Sequence, residues 1–175
     1  MSSENYTPTK LDKFVRGLLS VLIVVIIVAV ILLPFYFPRF VNTLDSLNPY
    51  TFNNQVEHYS IIGDAEFFYS VYLPKLISLM ASGVLAVFIL IELRNLMTTV
   101  VKGNCFVREN AVSLRRIGNF AFIIAFVMLA NVIILFSLSA LVVAIVFFIG
   151  GLFAKVLSRV FAQAVSYKEE NDLTI

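Results

Sequence analysis

The chain has 175 residues, of which 60% are hydrophobic and only 14% charged, with a net charge of +2. A soluble domain of this size carries nearer a quarter charged residues, so water cannot be the solvent for most of this surface, and lipid is expected to replace it. One cysteine (Cys105) excludes an internal disulfide framework. The small net charge, without any aromatic-interleaved basic patch, argues against direct nucleic-acid binding.

Residues 1–11 are polar. Lys10, Lys13 and Arg16 precede an uncharged run to Pro38 that is long enough to cross a bilayer. A signal peptide also begins with basic residues and an apolar core. This core is too long for one, and no small-residue cleavage site follows it. The run is therefore assigned as a first span over about 17–37, with Pro34 and Pro38 marking its outer end.

A loop over 38–69 follows. It carries Asp45, Glu57, Asp64 and Glu66 together with many aromatics, among them Tyr50, Phe52, Tyr59, Phe67 and Phe68. Such residues suit an interfacial belt or a lid over a ligand. His58 is the only histidine, and Glu57-His58 is read as a solvated pair.

The second span covers about 70–93, with Ser78, Ser82 and Ala86 forming a small-residue stripe at which another helix can approach closely. A connector over 94–116 holds Gly103 as a helix breaker, Asn104 as an N-cap for the next helix, and Glu109 where a helix dipole favours an anion.

From Ile117 to Ala154 there is no charged residue. As one helix this stretch would run about 57 Å, nearly twice the hydrocarbon thickness. It is therefore divided into spans at about 117–137 and 140–162, turning at Ser137 to Ser139. A second small-residue row, Gly150, Ala154, Ser158 and Ala162, suits packing within the bundle or a homo-oligomer face. A polar, acidic tail occupies 163–175.

The fold class is thus all-α, a four-span transmembrane bundle. Placing both termini and the connector on one side collects eleven of the thirteen basic residues there and leaves Arg39 and Lys75 opposite. By the positive-inside rule both termini are cytoplasmic and the aromatic loop lies outside.

The spans hold no charged side chain at mid-depth, and Asn131 is the one strongly polar residue there. Asn131 can make an interhelical hydrogen bond or line a path for a solute. Nothing in the chain supplies a paired catalytic constellation, a metal cluster or a cofactor motif, so the protein is read as no enzyme, with no cofactor. Cys105 is either a small apolar side chain or a reactive thiol. Glu169, Glu170 and Asp172 lie just past the expected end of the fourth helix, where its dipole disfavours anions. Docking of this tail on Arg108, Arg115 and Arg116 would compensate it; a solvated, mobile tail is the alternative.

Two segments carry a resemblance. Gly103 to Asn110, followed by Leu114-Arg115-Arg116-Ile117-Gly118, resembles a G-x-x-F-x-x-E-N…L-R-x-I-G pattern, and Glu169 to Ile175 resembles a terminal E-E-x-D-L-T-I signature. Both occur in a bacterial family of small four-helix membrane proteins of unknown function, whose members are often encoded beside a small Cro-type helix-turn-helix regulator. The resemblance implies a multi-pass protein of a bacterial cytoplasmic membrane. The matching positions, Phe106, Glu109, Asn110, Arg115 and Glu170 to Ile175, would serve a partner surface or a polar latch at the bundle's inner end. The expected function is regulatory or scaffolding, with a cytosolic protein partner held by connector and tail. The alternative is a small transporter, channel or immunity-type protein handling a lipophilic compound or peptide, with a cavity around Ser78, Ser82 and Asn131.

Overall fold

A computed structural model describes residues 10–47, 72–102, 107–135 and 138–172. They form four helices: α1 (Lys10–Leu47), α2 (Leu73–Val101), α3 (Arg108–Leu135) and α4 (Leu138–Asp172). Each contains a window long and apolar enough to cross a membrane, and there is no strand among the described residues. The chain is a multi-pass helical membrane protein. Of the loop expected over 38–69, residues 48–69, with His58, lie outside the described residues, as do Gly103, Asn104, Cys105 and Phe106.

Helix boundaries depart from the sequence reading in three places. α1 does not stop at Pro34 or Pro38 but runs through both to Leu47. Each proline frees one carbonyl, that of Val30 or Pro34, a loss that membrane helices can tolerate when other groups or water satisfy it. The connector is largely helical, since α2 continues to Val101 and α3 starts at Arg108. The break falls at Lys102, whose backbone N–H donates to the carbonyl of Thr99 (3.2 Å). α4 continues to Asp172, through most of the segment assigned to the tail over 163–175, so the acidic residues 169–172 belong to its last turns. The turn between the last two helices lies between Leu135 and Leu138, close to the serines where it was expected.

The helices pack in chain order, α1 on α2, α2 on α3 and α3 on α4, with the α3–α4 pair the most extensive. In α4 the buried positions are Ala140, Ala144, Gly151, Ala154, Ser158 and Val165. With half-buried Phe147 and Phe161 they alternate steps of four and three, the period of a left-handed, coiled-coil-like crossing. The expected row at a strict spacing of four is thereby split: Ala154 and Ser158 face α3, whereas Gly150 and Ala162 are exposed. A strict row of four drifts around the helix; the alternating row stays on the seam.

Backbones meet closely at Gly118 and Gly151. A Cβ on Gly118 would stand 3.1 Å from the carbonyl oxygen of Gly151, and one on Gly151 would stand 3.3 Å from that of Gly118. Ser158 Oγ donates to the carbonyl of Ala111 (2.7 Å), which sets the register of the two helices. The centre is an apolar cluster of Ile124, Met128, Ala140 and Ala144, packed by Leu85, Ile89, Val132 and Phe147. On α2, Gly83 lets α1 approach: a Cβ there would meet Val30 Cγ2 at 2.5 Å. Most of α1 otherwise faces outward, toward lipid, with Leu19 buried.

Candidate functional site

The polar chemistry collects at the end of the bundle where α2 ends and α3 begins. There a groove of about 720 Å³ is lined by Glu92, Asn95, Thr98 and Thr99 of α2 and by Arg108, Glu109, Asn110, Val112, Ser113 and Arg116 of α3.

Its floor is fixed by side chains bridging the two helices. Glu92 is the one acid in the apolar stretch of α2. Its carboxylate accepts from Ser113 Oγ (2.8 Å) and from Arg116 Nη1 (3.0 Å). The carboxylate is 12% exposed while the Arg116 side chain is 60% exposed, so the pair runs from the helix interface out to solvent. Two turns further along α2, the Thr99 hydroxyl stands against both the carbonyl of Leu96 (2.7 Å) and the side-chain carbonyl of Asn110. Asn110 is 1% exposed, the most buried polar residue described, and its backbone N–H donates to Val107 O (3.1 Å) at the start of α3. Of the two residues read from the sequence as a polar latch, Asn110 thus contacts α2, whereas Glu109 is exposed.

The rim differs in kind. Arg108 and Glu109 are exposed, as is Asn95, and none has a partner among the described residues. A locked floor beneath unengaged groups of both charge signs can recognise a polar segment without rearranging.

The structure brings together some of the residues singled out by sequence and separates others. Glu109, Asn110 and Arg116 line the groove, whereas Arg115 is exposed on α3 and is not part of its lining. Glu169 and Glu170 are exposed on α4. With Ser158 level with Ala111, Glu169 lies about 16 Å beyond that level and Arg115 about 6 Å the other way. Of the docking expected on Arg108, Arg115 and Arg116, none is formed by Glu169: Arg115 and Arg116 sit roughly 22 Å away along the axis, Arg116 is committed to Glu92, and Arg108 is exposed at the groove's rim without a partner among the described residues. The cause is the continuation of α4, which carries the acids past the start of α3. The side chain of Asp172 and residues 173–175 lie outside the described residues.

Sequence reasoning missed Glu92, Thr99 and Ser113. The signal was present for Glu92. Its near neighbour Arg94 is two positions away, and such residues point to different sides of a helix, so a partner on another helix was required.

Within the membrane, Asn131 makes the interhelical contact: Ser78 Oγ lies 3.1 Å from Asn131 Oδ1, and Asn131 Nδ2 donates to Val127 O (3.1 Å). Ser82 Oγ donates to Ser78 O (2.8 Å). A cleft of about 260 Å³ lies where the four helices meet. Ser82 lines it, with Val30, Gly83, Ile124, Met128 and Phe147, but Ser78 and Asn131 do not. The polar pair is consumed in packing, and the cleft is apolar.

A family model described as "Protein of unknown function (DUF2975)" matches residues 63–175. That stretch includes α2, α3 and α4, and with them the whole groove. No curated protein and no solved structure matches the chain.

Proposed function

The chain belongs to the DUF2975 family, and from that premise we propose that it is a non-enzymatic regulatory or scaffold protein of the cytoplasmic membrane that holds a cytosolic protein partner. The observation that carries the reading is the groove between α2 and α3. It has a rigid floor (Glu92, Ser113, Arg116, Thr99, Asn110) and an unengaged rim (Asn95, Arg108, Glu109) at the end of the bundle rich in basic residues. The positive-inside rule puts that end in the cytoplasm. The end of α4 overhangs the start of α3 by about 16 Å and exposes Tyr167, Lys168 and Glu169 beyond the groove's level, on the same end of the bundle, as a second contact surface.

A small helix-turn-helix regulator is the partner suggested by the sequence resemblance, with the membrane protein controlling its availability. The test is cross-linking and co-purification of the full chain from native membranes, compared with the Arg108→Glu/Glu109→Lys variant and with a chain lacking its last seven residues. The reading expects a cytosolic protein that is captured by the wild type and lost from both variants. Capture of the same protein by all three would overturn it.

A second reading has its own observation. The apolar cleft at Ser82 and Gly83 suits a lipophilic compound, as a small transporter or immunity-type protein would require. That reading expects Ala86→Leu, which places a larger side chain in the cleft, to abolish protection or transport while leaving partner capture intact.

A further inference from the structure

On the side of the α3–α4 pair that faces away from α2, three basic residues converge. The Lys155 ammonium donates to the Asn119 side-chain carbonyl across the seam. Arg115 lies one turn before Asn119 on α3, and Arg159 one turn after Lys155 on α4. Because the helices are antiparallel, both steps lead toward the same end of the bundle, and the two arginines flank the seam one turn outboard of the Asn119–Lys155 bridge. Both arginines are exposed, and no acid pairs with Arg115, Lys155 or Arg159 among the described residues. These cations stand where the apolar part of the bundle gives way to the polar end.

The same seam continues toward the membrane centre as an apolar groove of about 180 Å³ lined by Phe126, Leu129, Leu141, Ala144, Ile145 and Phe148. On α3 the series Arg115, Asn119, Phe122, Phe126, Leu129 advances by steps of three and four, so it holds one face. On α4, Arg159, Lys155, Phe148, Ile145 and Leu141 hold one face in reverse, with a double step of seven between Lys155 and Phe148. Between the basic cluster and the groove, the Phe122 ring lies over Gly151 and meets Phe148 edge-on, with centroids 5.5 Å apart. From Arg115 to Leu129 the axial distance is about 21 Å, close to half of a bilayer measured with its headgroups.

We propose that this seam is a binding site for an anionic phospholipid of the leaflet at the basic end. Arg115, Lys155 and Arg159 take the phosphate, and one acyl chain lies in the groove past Phe122. Basic pockets between membrane helices recognise anionic headgroups by charge, and the adjoining apolar channel makes the ligand an amphiphile instead of free phosphate. The site uses none of the residues that line the partner groove and does not depend on what that groove holds.

The test uses the purified full-length chain and native mass spectrometry with phosphatidylglycerol and phosphatidylcholine of identical acyl chains. Retention of phosphatidylglycerol over phosphatidylcholine is expected. A triple Arg115→Gln/Lys155→Gln/Arg159→Gln variant should weaken retention by about a hundredfold, at roughly fivefold per charge near the membrane surface. A control Lys10→Gln/Lys13→Gln/Arg16→Gln variant, which removes equal charge from α1, should leave it unchanged. Equal retention of the two lipids by the wild type would overturn the proposal without any variant. So would equal losses in the two triple variants, or displacement of the lipid by glycerophosphate at equal concentration.

Discussion

Glu92 and Arg116, on neighbouring helices and separated by 24 positions, meet at 3.0 Å with Ser113 holding the second carboxylate oxygen. The two halves of this arrangement have unequal weight. Arg116 is largely exposed, so water and salt screen its pairing, and Arg116→Gln should cost under about 1 kcal/mol. Glu92→Ala strips the acceptor from Ser113 at a half-buried site and should cost about 1–3 kcal/mol. Thermal melting of the detergent-solubilised protein checks both, and equal effects of the two substitutions would contradict the asymmetry.

At the α3–α4 crossing, a methyl group on Gly118 would stand 3.1 Å from the carbonyl oxygen of Gly151, a backbone atom that cannot turn aside. Gly118→Ala should cost about 1–3 kcal/mol through overpacking. Gly150→Ala, with no atom within 4 Å of the added group, should be neutral or slightly stabilising as a glycine leaves a helix. Denaturation curves of the two variants in one detergent separate buried from exposed glycine.

Asn131 and Ser78 are joined across α3 and α2, but each has a backbone partner as well: Val127 O for Asn131 and Lys75 O for Ser78. Losing the cross-helix bond should therefore cost little, about 0.6 kcal/mol for Asn131→Leu, as is usual inside membrane bundles. A loss above roughly 2 kcal/mol would point to a larger polar network than this pair.

The placement of the α4 acids has its own consequence. Because Glu169 lies roughly 22 Å along the axis from Arg115, Arg115→Glu/Arg116→Glu should leave proteolysis of the chain's end unchanged. Limited digestion followed by mass analysis decides it; faster cleavage in the variant would restore the tail-docking idea.

Much of the fold was legible in the sequence because lipid imposes one strong rule, that apolar runs of about twenty residues become helices. The uncharged stretch from Ile117 to Ala154 had to be divided, and the break lies between Leu135 and Leu138. Helix ends were harder. Polar residues such as Arg108 or Lys168 continue a helix beyond the membrane as readily as they end it, and Pro34 is tolerated where a soluble helix would break. In the candidate site, Asn110 was singled out by the motif that carries the resemblance, and it lies buried at the start of α3. Its neighbours Thr99 and Ser113 could not be singled out, since a lone hydroxyl in a sequence does not reveal which helix it faces. The basic seam was hidden for a similar reason. Arg115 and Arg159 become neighbours only once the register set by Ser158 and Ala111 is known.

The most direct test of the central claim, that the α2–α3 groove faces the cytoplasm, is cysteine labelling with a membrane-impermeant maleimide in intact cells. Lys102 is exposed at the end of α2, and Lys102→Cys, in a Cys105→Ser background, reports the groove end; Ser60→Cys reports the loop between α1 and α2. Labelling of Ser60→Cys alone in intact cells, with Lys102→Cys reacting only after permeabilisation, is the predicted result. Labelling of Lys102→Cys in intact cells, with Ser60→Cys protected, would contradict it.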